Sequence, residues 1–95
     1  MILLTIITKT PEQSKEIIEL LFEELLVMDV LKLDNNEYYR LDESKNVIEA
    51  KSSVLKCITH YNLYKNIKSL LIKKYKEKVP VLYSTVIDEI IWEYS

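Results

Sequence analysis

Cys57 and His60 are the pairing in this sequence best suited to a soft metal, a thiol and an imidazole three residues apart at the end of an alternating apolar stretch. Copper and zinc sites take sulfur and nitrogen donors but need about three or four of them, so this pair is half a site unless other chains add the rest. The plain alternative is a buried cysteine beside a surface or capping histidine. Tyr38, Tyr39 and Arg40 form a second candidate, because a guanidinium grips carboxylate or phosphate through two parallel hydrogen bonds. Here the alternative is an aromatic interface with a solvated guanidinium. The lysines from Lys65 to Lys78 could attract an anion, although a solvated helix face is the better account of them. No Ser or Cys nucleophile stands beside the single His in a recognised motif, and a chain with no Gly lacks every glycine-rich phosphate loop. The chain is therefore read as non-enzymatic.

Ninety-five residues suit one domain, residues 1–95, burying roughly 60–65% of the surface that the unfolded chain exposes. Seven Tyr against one Phe and one Trp put much of the aromatic area on side chains suited to half-buried faces and interfaces. Thirteen basic and fifteen acidic residues give a net charge of −2, which creates no global attraction for nucleic acid or an anionic membrane. A lone cysteine excludes an internal disulfide, and the absence of a leader-like start points to the cytoplasm. The apolar runs fall short of the roughly 18–20 residues that cross a bilayer.

The elements that must position these residues follow from pattern. Ile2 to Thr8 is branched and nearly all apolar, as in an interior strand. Thr10-Pro11-Glu12-Gln13 has a capping Thr, a Pro at the first helical position and a Gln three residues after the cap, so a helix begins here. Its expected buried stripe is Ile17, Ile18, Leu21, Leu25 and Met28, widened by Leu20, Phe22 and Leu26. Val30 to Leu41 is a second strand, broken near Asp34 to Asn36, and Asp42 to Asn46 is a turn. Val47 to Thr59 is a third strand with Ile48, Ala50, Val54 and Ile58 in one parity, and Ser52-Ser53 mark a bulge. Asn62 is the expected cap of a second helix through Tyr75, basic toward its C-terminal end. Pro80 stops it and starts a fourth strand over Val79 to Ile87, after which Asp88 caps a short helix, Glu89 to Tyr94. With no glycine, positive φ falls to Asp34, Asn35, Asn36 or Asn46. The order β-α-β-β-α-β predicts an α+β, ferredoxin-like antiparallel sheet with a short C-terminal helix.

Four separated motifs carry a resemblance. Glu23 to Val30 (EELLVMDV) is similar to E-E-x-L-A-A-C-V, Tyr39 to Asp42 to Y-R-W-E, Tyr75 to Val81 to H-P-Y-E-V-P-E, and Glu89 to Trp92 to Y-L-x-W. All four belong to the CutA divalent-cation-tolerance family, small ferredoxin-like proteins related in architecture to PII signalling proteins. The chain departs from the family where Asp29, Tyr75 and Val81 replace its Cys, His and Glu. The resemblance implies a homotrimer built by pairing strands of neighbouring subunits, which would also cover exposed sheet edges. It implies a role in divalent-metal tolerance, copper among the metals, or PII-like binding of a small anionic ligand or partner. Asp29 would then offer a hard oxygen beside Cys57 and His60, while Tyr39, Arg40 and Lys78 would line a cleft between subunits. A trimer that has lost ligand binding is the alternative. A third class, an RNA-binding ferredoxin-like domain, needs exposed sheet aromatics amid basic charge, and only Tyr38 or Tyr39 offers that.

Overall fold

The computed structural model describes residues 1–91. The chain runs β1 (Ile2–Ile7), α1 (Pro11–Glu23), β2 (Asp29–Leu41), β3 (Val47–Thr59), α2 (Tyr61–Tyr75), a 3-10 turn (Lys76–Lys78) and β4 (Val81–Val86). All four strands form one antiparallel sheet in the order β2-β3-β1-β4. Each helix thus crosses over a neighbouring strand, which is the predicted ferredoxin-like double crossover. Glu89, Ile90 and Ile91 are not helical, and the remainder of the expected terminal helix lies outside the described residues.

The core fills one side of the sheet. Leu4 and Ile6 of β1 and Leu55 and Cys57 of β3 meet Ile17 and Leu21 of α1 and Ile67 and Leu71 of α2, all fully buried. On β3 the core-facing parity is thus Ser53, Leu55, Cys57 and Thr59. The parity of Ile48, Ala50, Val54 and Ile58 belongs to the opposite face, which no helix covers. Cross-strand register sets three rows on that open face. They are Asp29-Ile58-Leu3-Thr85, Leu31-Lys56-Thr5-Tyr83 and Leu33-Val54-Ile7-Val81. Leu31 is 56% and Tyr83 49% exposed there.

α1 begins as its sequence dictates: the Gln13 amide donates to Thr10 Oγ1 at 3.1 Å, with Pro11 in the first turn. The reciprocal half of the capping box is redirected, because Gln13 Oε1 accepts from the Lys9 amide at 2.8 Å. Gln13 Nε2 donates to the Lys78 carbonyl at 2.8 Å, tying the helix start to the joint before β4. The helix ends earlier than its hydrophobic stripe suggests. Leu25 adopts φ 54°, its amide donates to the Phe22 carbonyl, and the Leu26 amide donates to the Leu21 carbonyl. This is a Schellman ending built without glycine, with Leu26 packed in the core beside Leu21. Leu25, 84% exposed, and the exposed Met28 therefore leave the buried stripe to Leu26. A left-handed Leu is strained by its Cβ and here has no packing to lose. Leu25→Gly should thus stabilise the chain by about 1 kcal/mol in urea unfolding; a loss of stability would contradict this reading of the turn.

The bulge lies in β2, where that strand was expected to break, and not at Ser52-Ser53 of β3. Register slips between Leu33 and Asn36, so that Asp34 and Asn35 of β2 face the single residue Ser53 of β3. Asn35 takes φ 57°, as a short polar side chain tolerates, and Asn36 Nδ2 closes the bend on the Leu33 carbonyl at 2.7 Å. The other positive-φ residues are Lys45, in the β2–β3 turn, and Lys76, after α2. Asn46 itself is held by its amide donating to Asp42 Oδ1 at 2.8 Å. Beyond the bulge, Asn36–Leu41 and Val47–Ser52 pair only with each other, because β1 reaches no farther than Val54. Six residues at about 3.3 Å each make an arm of roughly 20 Å, in keeping with a long axis of 46 Å against 26 and 21 Å.

Candidate functional site: a basic cleft at the base of the hairpin arm

The bulge decides which side chains the arm presents. Leu31 and Leu33 lie on the open face at odd positions; the extra residue shifts the parity, and Tyr38 and Arg40 join that face opposite Ala50 and Ile48. Where the arm leaves the sheet, a cleft of about 260 Å³ opens, bounded by Ile7, Lys9, Tyr38, Arg40, Ile48 and Val81. Thr8, beside it, fixes the β1–α1 joint. Its hydroxyl lies 2.6 Å from Ser14 Oγ and donates to the Ser53 carbonyl at 3.0 Å, while its amide reaches the same carbonyl at 2.9 Å. Ser53 Oγ in turn donates to Asp34 Oδ1 at 2.7 Å. That hydrogen bond, reinforced by the Lys32 ammonium 3.5 Å away, holds the Asp34 carboxyl below its ordinary value. The cleft is thus built on a hydrogen-bonded bulge and a capped helix start.

The predicted binding residues separate. Arg40 lines the cleft, whereas Tyr39 points to the opposite face of the arm, where its hydroxyl donates to Glu37 Oε2 at 3.0 Å. That carboxylate holds the phenol above its ordinary value. Lys78 is exposed in the 3-10 turn, and its carbonyl is the part used. Lys9 was missed because it lies in a loop without periodicity, and only the register of β1 with β3 brings it near the arm. Tyr75 joins the helices by donating its hydroxyl to Glu16 Oε1 at 2.8 Å.

The predicted metal ligands do not assemble within one chain. Among the described residues no group of three or more His, Cys, Asp or Glu side chains is placed to hold an ion. Asp29 Oδ1 accepts the Ile58 amide at 3.0 Å and so finishes the β2–β3 ladder. His60, rather than Asn62, occupies the cap of α2 and makes no side-chain capping bond there. Cys57 is buried in the core, and desolvation, aided by the nearby Asp29 charge, pushes its thiol from 9.0 up to about 12. Copper and zinc sites need about three or four donors, and among the described residues one chain does not bring together even three. The neutral thiol's contribution to stability is complete below pH 9 and lost as pH rises toward about 12. Iodoacetamide at pH 8 is expected to leave native Cys57 unmodified and to label it fully in denaturant. Rapid labelling of the native protein would contradict its burial.

No helix of the described residues is long and apolar enough to cross a membrane. No protein-family model matches the sequence, and no curated protein sequence matches it either. Solved structures do. The divalent cation tolerance protein Cut A1 of Thermus thermophilus superposes with a TM-score of 0.87 at 21% identity, over 99% of this chain and 91% of its own. CutA1 of Oryza sativa gives 0.86 at 17% identity, over 98% and 84%. The protein of Archaeoglobus fulgidus described as a periplasmic divalent cation tolerance protein CutA gives 0.85 at 15% identity, over 99% and 91%. At such identities the likeness is one of backbone, and by that measure the chain has the CutA fold over nearly its whole length.

Proposed function

We propose that this protein is a CutA-like, non-enzymatic binding module that works as a homotrimer. The observation that carries the reading is the open face of the sheet. Leu3, Ile7, Leu31, Leu33, Val54, Ile58, Val81 and Tyr83 lie on a side that no helix covers. A sheet with two helices on one face and apolar side chains on the other is half of a sandwich, and it needs a second layer. Further copies of the chain supply it. The two strands of the arm and the outer edge of β4 also carry backbone donors and acceptors unpaired within one chain, and pairing between neighbours satisfies them. The ligand-binding part of the function sits at the cleft beside Arg40, at the margin of that face.

Divalent-cation tolerance, the role named for the structural relatives, would then act through assembly or a ligand rather than through Cys57. The cytoplasm remains the proposed compartment, on the lone cysteine. Amide hydrogen exchange tests the assembly: the edge amides of the arm and of β4 should be protected at high protein concentration and lose protection on dilution. Fast exchange of those amides at every concentration would remove the trimer from the proposal.

A further inference from the structure

We infer that the cleft beside Arg40 takes a small organic anion, a carboxylate or phosphate group joined to a flat apolar body. The inference rests on the binding-module reading above and names the class of ligand. Charge is the first argument. Among the described residues no acidic side chain borders this cleft, whereas Lys9, Arg40 and Lys51 do. Among the described residues the only ion pair is Lys32–Asp34, so neither Lys9 nor Arg40 has a carboxylate partner. Lys51 faces Glu37 across the strands and by alternation directs its side chain to the other face, which leaves Lys9 and Arg40 as the cations of the cleft. A protein of net charge −2 thus has a local positive site, which attracts anions and repels metal cations.

Shape and surface chemistry supply the second argument. Between the two cations the walls are apolar or aromatic: Ile7, Ile48, Ala50 and Val81, with the ring of Tyr38. An inorganic anion would satisfy the cations and leave this surface wet, and a neutral apolar molecule would do the reverse. A third observation concerns Ser52. Its Oγ is the one buried side-chain polar atom without a hydrogen-bond partner among the described residues, and Ser52 lies in the wall of this cleft. An unpartnered hydroxyl is costly, and an acceptor oxygen on a bound ligand is the kind of group that relieves it. Arg40 is assigned the bidentate contact to the anion, Lys9 a point-charge contact, and Tyr38 the stacking contact.

Calorimetric titration of the full chain with phenyl phosphate and with benzoate tests the inference, with inorganic phosphate and benzyl alcohol as half-ligands. Binding of at least one aromatic anion, at least about tenfold tighter than either half-ligand, is expected. Which of the two binds tighter decides between phosphate and carboxylate. Arg40→Gln should weaken that binding about tenfold or more and Lys9→Gln about threefold, while Lys65→Gln on the outer surface of α2 leaves it unchanged. Absence of binding by both aromatic anions, or binding indifferent to Arg40→Gln, overturns the inference. Light scattering on the same samples separates this from failure of the assembly. A trimer that binds neither probe keeps the module and loses the ligand class, and a monomer that binds keeps the ligand class and loses the trimer.

Discussion

Tyr83→Asp is expected to turn the assembled protein into folded monomers. Tyr83 lies in the middle row of the open face, on β4, and is 49% exposed in the single chain. The change therefore removes little packing from the chain itself, and surface substitutions of this kind shift stability by about 0.5 kcal/mol or less. In the proposed assembly the same position is covered by other copies, and a buried carboxylate without a partner costs several kcal/mol. Symmetry repeats that cost at each of the equivalent interfaces, so assembly should weaken by roughly a thousandfold or more. Light scattering should report the monomer mass while far-ultraviolet circular dichroism remains that of the native chain. Lys68→Asp, on the solvated side of α2, is the control and should leave the mass unchanged. A Tyr83→Asp protein that assembles as well as the parent would show that the open face is not the interface.

Leu55→Ala is expected to cost about 2.5–4 kcal/mol of folding stability. Leu55 is fully buried at the centre of β3, paired with Ile6 on one side and Lys32 on the other, and it faces the core shared with both helices. Truncation removes three side-chain carbons from a core shared with Leu4, Ile6, Ile17 and Leu71, which two helices and a sheet hold against closing the void. A domain of this length has a total stability of about 5–14 kcal/mol, so this one change removes a large fraction of it. The measurement belongs in the Tyr83→Asp background, because the proposed assembly would stabilise the parent by mass action and make its midpoint depend on concentration. Urea unfolding there should show a lower midpoint with an unchanged slope. A loss below about 1 kcal/mol would mean that the core repacks freely and that the two helices are not seated on the sheet as described.

The fold was legible because its signals are local and agree with one another. Thr10 and Pro11 start α1, Pro80 separates α2 from β4, and the branched run Ile2 to Ile7 marks an interior strand; each acts through backbone geometry that neighbours in sequence determine. The end of α1 was not legible. Its hydrophobic stripe continues through Leu25 and Met28, and only the buried position of Leu26 reveals that the chain has turned through a left-handed leucine. The bulge left a trace in the sequence, the polar run Asp34 to Asn36 that interrupts β2 between Leu33 and Tyr38. Ser52 and Ser53 drew attention to β3, because small polar residues face a bulge as readily as they form one.

The site was legible only in part, for a related reason. Tyr39 and Arg40 are adjacent in sequence, so a motif presents them as a unit, but a strand sends them to opposite faces. Cys57 and His60 are close in sequence as well, yet one belongs to the core and the other caps a helix outside it. Lys9 and Ser52 had no motif at all. Lys9 comes beside Arg40 through the pairing of β1 with β3, and Ser52 through the shifted register of β2 with β3, relations that spacing along the chain does not encode.

The central claim is that the open sheet face is a contact between copies of this chain. Light scattering from the full-length protein at tens of micromolar, at neutral pH and moderate salt, tests it most directly. The expected result is a single species of three times the 11.3 kDa chain mass. A single species at 11.3 kDa under the same conditions would contradict it.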